Sequence, residues 1–114
     1  MVKYRVDVTE PAENDLRDIV RYISAQLSAP INAIKMMDVI NEALVGLRNM
    51  PQKCPPVTDE RLASMGYRKL LIKNYIAFFT IDKKAKVVNV ERILYARRDW
   101  LCILQKSHLP YITK

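Results

Sequence analysis

The stretch that decides the fold is residues 66–100, GYRKLLIKNYIAFFTIDKKAKVVNVERILYARRDW. It reads as three strands in succession. Residues 67–72 are apolar and rich in β-formers, and Lys73-Asn74 makes a tight connection. Residues 75–82 carry aromatic and branched side chains. Lys83, Lys84 and Ala85 break the pattern, and residues 87–95 form the third run. Runs of this kind, separated by short polar breaks, signal an antiparallel meander. Alternation assigns the faces. Tyr75, Ala77, Phe79 and Ile81 point one way; Ile76, Phe78, Thr80 and Asp82 point the other. In the third run Val88, Val90, Arg92 and Leu94 are expected on one face, with Asn89, Glu91, Ile93 and Tyr95 opposite. Both faces of the central strand are apolar, so a second cover is expected on the far side, supplied by a bound partner. Arg68, Arg92, Arg97 and Arg98 bracket the sheet and suggest a cationic surface.

Working outward, residues 4–8 alternate with period two and predict a first strand. Thr9 is placed to cap the next helix, with Glu10 and Pro11 in its first turn. That helix is predicted to run to about Gln26. Its apolar stripe is Ala12, Leu16, Ile19, Val20, Ile23 and Leu27, with Glu13, Asp15, Asp18 and Arg21 on the solvated side. Ser28 is a candidate N-cap before Pro30. A second helix is predicted to about Met50, with Ala33, Met37, Ile40, Leu44 and Leu47 inward. Met36, Ala43 and Met50 widen that stripe, and helical spacing favours core packing for the methionines over an adaptable binding surface.

Pro51 opens a connecting loop over residues 51–66, with a helical turn predicted near residues 59–64. Asp99 is placed to cap a short terminal helix presenting Leu101 and Leu104. The order is therefore βααβββ with a short C-terminal helix. This is an α+β, two-layer domain in which an antiparallel helical hairpin covers a sheet. One domain is expected over residues 1–104, and a mobile tail over residues 105–114.

A chain of 114 residues fits one domain, and its 50% hydrophobic content suffices for a core without staples. It lacks an 18-residue apolar run and a signal-like N-terminus, so a cytoplasmic location without membrane is expected. Cys54 and Cys102 lie outside any CxxC and are expected as free thiols. With His108 they make too few ligands for structural zinc, which takes about four. No metal or other cofactor is expected. The net charge is +7. Residues 1–50 carry six Lys/Arg against seven Asp/Glu, while residues 51–114 carry thirteen against five. The basic excess belongs to the sheet half. It suits a polyanionic partner: nucleic acid, ribosome or an acidic protein segment.

Three features in this order carry a resemblance: the strand plus helical hairpin, GYRKLLIKNYIAFFTID and ILYARRDW. Together they resemble the RelE/ParE superfamily of bacterial type II toxins, often labelled plasmid stabilisation proteins. The resemblance covers about residues 2–104. It implies a growth inhibitor held off by a cognate antitoxin that docks an acidic, flexible segment. One branch of the superfamily cleaves mRNA in the ribosomal A site; the other poisons DNA gyrase. The fold alone does not choose between them.

For metal-free RNA cleavage the resemblance offers Arg68 for the phosphate, Arg92 for developing charge and Tyr95 as the acid. Glu60 is a candidate base, and the strand end carries no histidine. Lys69, Lys73, Arg97 and Arg98 are expected to bind nucleic acid or target. Phe78, Trp100, Leu101 and Leu104 are expected to bind antitoxin. Against these stands a bland reading: Arg68 paired with Glu91, Tyr95 at a half-buried edge, Arg97 and Arg98 on a solvated turn. A different class of function is an inactive toxin homologue serving as a protein- or nucleic-acid-binding module.

Overall fold

The computed structural model describes residues 3–108. Strand β1 (Arg5–Val8) leads into α1 (Glu10–Arg21), then α2 (Pro30–Gly46) and α3 (Glu60–Ser64). Strands β2 (Arg68–Ile72), β3 (Tyr75–Asp82) and β4 (Val87–Tyr95) come next, and α4 (Trp100–His108) closes the described chain. The sheet order is β1-β4-β3-β2. The last three strands form the expected meander, and β1 adds in parallel to β4, Arg5 opposite Val87 and Val8 opposite Val90. The two-residue connection is made with Lys73 in the left-handed region, at φ 56°. The structure is thus the α+β arrangement that the order of elements predicts. Among the described residues no helix is long and apolar enough to cross a membrane.

One sheet face is covered by the α1–α2 hairpin. Ala12, Ile19, Ile23, Ala33, Ile40 and Leu44 bury against Ala77, Phe79, Val88, Val90 and Ile93. Thr9 caps α1 as expected, its Oγ1 accepting from the Ala12 N–H at 3.4 Å. The same hydroxyl donates towards the Val90 and Glu91 carbonyls and so pins the helix start to β4.

The far face is closed by the chain itself. Val57, Leu62, Tyr67, Ile76, Phe78, Leu94 and Leu104 form a second core, with Trp100, Leu101 and Ile103 packed on it. Asp59 and Asp99 start the two covering helices, accepting from the Leu62 and Cys102 N–H groups respectively. Phe78 is fully buried, its ring centroid 5.2 Å from that of Trp100. The second cover, expected from a bound partner, is supplied instead by α3, its loop and α4.

Several local expectations are corrected. Phe78 pairs with Arg92 but Phe79 pairs with Val90, so Glu91 is an extra residue in β4. A bulge of this kind reverses the alternation beyond it. Val88 and Val90 share the hairpin face with Ile93, while Leu94 joins the far core. Arg92 is thus not a face-mate of Val88 and Val90. No glycine or proline marks the bulge in the sequence.

Asp15 is buried at 8% exposure rather than solvated. The reason is that β1 stops opposite Val90, leaving the outer edge of β4 unpaired beyond it. Helix α1 lies along that edge, and Asp15 fills the missing acceptor role, with its Oδ2 2.9 Å from the Ile93 N–H.

Helix α1 continues as a π-helical turn over Tyr22–Gln26. The wider turn rotates each residue less, so Leu27 leaves the predicted stripe and stands exposed. Ser28 adopts φ 50°, and Ala29 precedes Pro30 at the start of α2. Helix α2 stops at Gly46, short of Met50, which is left-handed and exposed. Helix α4 runs past Leu104 to His108, so the expected boundary at residue 104 falls within a helix. Residues 109–114 of the expected tail lie outside the described residues.

Candidate target-binding cleft

The end of the β3–β4 hairpin meets the tip of the helical hairpin at a cleft of about 660 Å³. Tyr22 and Ile23 come from the π turn, Leu27 from the residue after it, and Met36 from α2. Tyr75 and Tyr95 form the floor as a cross-strand pair, their rings edge-to-face with centroids 5.8 Å apart. Arg98 and Asp18 stand at the mouth. Burial, with Tyr22 and Tyr95 as neighbours, raises the pKa of the Tyr75 phenol. The walls of the cleft are open: Tyr22 is 53% exposed, Leu27 56% and Tyr95 41%. Ile31 and Ile34, in the first turns of α2, extend the apolar surface beyond it.

The wall formed by α1 is held by one ion pair. Arg92 grips Asp15 bidentately, Nε to Oδ2 at 2.7 Å and Nη2 to Oδ1 at 2.8 Å. The contact raises the pKa of Arg92 against the opposing effect of burial. Paired in this way, Arg92 bridges α1 and β4 below the cleft.

Arg68 is directed elsewhere. Its Nη1 donates to the Cys54 carbonyl at 2.6 Å and the Gln52 carbonyl at 3.1 Å, tying β2 to the loop before α3. Glu91 is not its partner; that carboxylate accepts from the Thr80 hydroxyl at 3.1 Å. Arg68 lies opposite Phe79, whereas Tyr95 lies opposite Tyr75, two strands away and four residues along β3. Strand geometry separates them by about 13 Å along the sheet and about 10 Å across it. The structure therefore brings Tyr95 and Arg98 together at the cleft, sets Arg68 apart from them, and commits Arg92 to Asp15, itself a lining residue of the cleft. Lys69 is half-buried beside the loop, and Lys73 and Arg97 are exposed on turns. Phe78 and Leu104 are buried beneath α4, and Trp100 and Leu101 are half-buried on it.

Sequence reasoning did not single out Tyr22, Leu27 or Asp15. An aromatic at the end of a polar helical face was the available signal for Tyr22. Nothing in the sequence announces the π turn. The thiols of Cys54 and Cys102 are free, as expected, and burial raises the pKa of the Cys54 thiol.

Tyr67, in the far core, has its phenol pushed up to about 12, chiefly by burial and then by the Glu91 carboxylate, against the opposing charge of Arg92. An unfolded tyrosine titrates near 10. The folded state thus favours the neutral phenol, a contribution complete below pH ~10 and lost as pH rises towards the folded value. Absorbance titration should show a tyrosine step at about pH 12, and Tyr67→Phe should remove that late step. A late step that survives Tyr67→Phe would contradict this assignment.

Comparison with known proteins fits this geometry. Residues 6–100 match the family described as ParE toxin of type II toxin-antitoxin system, parDE. The chain belongs to the ParE toxin family. Among solved structures, it is similar to the chromosomal ParDE toxin-antitoxin system from P. aeruginosa, at 22% identity and a TM-score of 0.69. That match covers 83% of this chain and 98% of the other. It is also similar to the toxin-antitoxin complex RelBE2 from Mycobacterium tuberculosis, at 22% identity and a TM-score of 0.58, covering 83% and 93%. At such identities the likeness is one of fold. No curated protein matches the sequence. Membership of the family makes the chain a type II toxin by descent and leaves its target to the site.

Proposed function

We propose that this ParE-family toxin acts by gripping a protein target, DNA gyrase, and not by cutting mRNA. The observations that carry this reading are the distance of Arg68 from Tyr95 and the commitment of Arg92 to Asp15. Phosphodiester cleavage needs a phosphate clamp and a proton donor within hydrogen-bond reach of one scissile group. Here Arg68 is committed to loop carbonyls, Arg92 to Asp15, and Tyr95 to an aromatic cleft. What the cleft offers is binding chemistry: exposed tyrosines and a guanidinium, the side chains that dominate protein–protein hot spots, set within aliphatic rims. Lys73, Arg97 and Arg98 then serve as a charged rim that steers an acidic surface, and Lys69 adds to the field.

A cognate antitoxin neutralises the toxin in this reading, in the cytoplasm where gyrase works. The two structural relatives are toxin-antitoxin assemblies, and the sheet half carries the positive charge that an acidic segment would seek. Because Phe78 and Leu104 are already covered, such a segment meets the half-buried Trp100 and Leu101 at the margin of the far core first.

The test uses toxin freed of antitoxin in two assays, gyrase supercoiling and mRNA cleavage on programmed ribosomes. Supercoiling should be inhibited, with no A-site cleavage. Tyr95→Phe should leave inhibition within a few-fold of wild type, since the ring is retained. Loss of a general acid costs about 10²–10⁴ in rate. Cleavage abolished by Tyr95→Phe would overturn the proposal in favour of a nuclease. Neither activity from a folded protein would favour an inactive binding module.

A further inference from the structure

The end of the sheet remote from the cleft carries a cluster of positive charge. The β3–β4 turn presents Lys83, Lys84 and Lys86, all exposed, with Lys86 left-handed at φ 59°. Strand β1 starts beside that turn, the Arg5 N–H donating to the Lys86 carbonyl at 2.8 Å. The end of the helical hairpin arrives at the same place. The Tyr4 N–H donates to the Arg48 carbonyl at 3.0 Å, and Lys3 bridges to Asn49. The Lys86 ammonium lies over the Tyr4 ring, 5.6 Å from its centroid. Three separate segments therefore bring Lys3, Arg5, Arg48, Lys83, Lys84 and Lys86 to one end.

Two acids share this end, and both are occupied. Asp7 pairs with Arg5 at 3.0 Å, and Asp82 accepts from the Ala85 N–H to hold the turn. Among the described residues, Lys3, Arg48, Lys83, Lys84 and Lys86 form no ion pair within the chain. The aromatic ring present, Tyr4, is 6% exposed and offers no platform on which a base could stack. Four of the six cations are lysines, flexible point charges that meet phosphates without reading bases, and with no ring on which a base could stack they suit duplex phosphates better than single strands.

We propose that this lysine-rich end is a second binding surface, for the phosphate backbone of duplex DNA. The choice of DNA over other polyanions rests on the gyrase reading, because duplex DNA is that enzyme's substrate. The end-to-end length of β3 places this surface about 23 Å from the cleft. One molecule can thus hold the enzyme at its aromatic end and the DNA at its lysine end.

With about four net phosphate contacts, the log–log salt slope of binding should be about −3 to −4. Affinity should accordingly fall about a hundredfold between about 50 and 200 mM salt. The experiment measures binding of the free full chain to a short labelled duplex DNA of mixed sequence, by anisotropy, without gyrase. Wild type should bind with that slope. The triple variant Lys3→Glu, Lys83→Glu, Lys84→Glu should lose at least tenfold in affinity and most of the slope, and the matching Gln variant should fall between. Circular dichroism confirms the fold. Lys86 is left intact because its backbone is left-handed.

Equal binding by wild type and both variants would overturn the proposal. So would tighter lysine-dependent binding to duplex RNA or to poly-glutamate than to DNA. Failure of the gyrase reading is separately visible. A chain that binds DNA through these lysines but leaves supercoiling untouched keeps this surface and loses that target.

Discussion

Asp15→Ala should be among the most destabilising single changes in this protein, at about 3 kcal/mol. The carboxylate has three tasks at once. It accepts two bonds from Arg92 and one from the Ile93 N–H. Its removal leaves a guanidinium at 17% exposure without its counter-charge and an edge N–H without an acceptor. Each defect is costly because burial denies the group its water. A loss of this size lowers the melting temperature by roughly 10 °C for a domain of this length.

The control is the double change Asp15→Leu with Arg92→Met, which removes the charges together and should recover a large part of the loss. Chemical denaturation of the three proteins measures both. An Asp15→Ala protein within 1 kcal/mol of wild type (roughly the worth of a surface pair) would show that the pair does not hold α1 to β4. Arg92→Ala, in turn, isolates the Asp15 carboxylate, so lost toxicity in that variant reads on the fold before it reads on chemistry.

The same ion pair marks where the sequence stopped being informative. The meander was legible because Tyr75–Asp82 and its neighbours carry branched and aromatic runs between short polar breaks. Thr9, Asp59 and Asp99 sit where helices start, and each makes its capping bond. Asp15 was misplaced because helical periodicity treats an acid among acids as solvated. What buries it is the length of β1, a tertiary fact. The bulge at Glu91 escaped for a similar reason: alternation assumes an unbroken ladder, and no glycine announces the break. The far cover of β3 was expected from a bound partner, because alternation shows that a face is apolar and not which segment of the chain folds back over it. The cleft depends on the π turn at Tyr22–Gln26, and with it on the exposure of Tyr22 and Leu27. Of the residues proposed from sequence for chemistry, Tyr95 alone reaches it together with Arg98.

The second large effect is expected at that cleft. Tyr22→Ala and Tyr95→Ala should each weaken binding to gyrase by about 2 kcal/mol or more, roughly thirtyfold, as expected of aromatic hot-spot residues. Both side chains are substantially exposed in the free chain, so truncation should leave the fold stable. Arg68→Ala loses two bonds to loop carbonyls far from the cleft and should change gyrase affinity little. Titration of gyrase against immobilised toxin gives the affinities, and denaturation curves give the stability control. Wild-type affinity in both tyrosine variants, with a large loss in Arg68→Ala, would move the target surface from the hairpin tip to the start of β2.

Which process stops first when the toxin is induced in cells without antitoxin tests the proposed target most directly. Pulse labelling of DNA and of protein, taken in parallel over the first minutes, separates the two branches of the superfamily. A toxin that grips gyrase should halt DNA synthesis while amino-acid incorporation continues. Protein synthesis collapsing first, with DNA synthesis declining only afterwards, would contradict the gyrase reading.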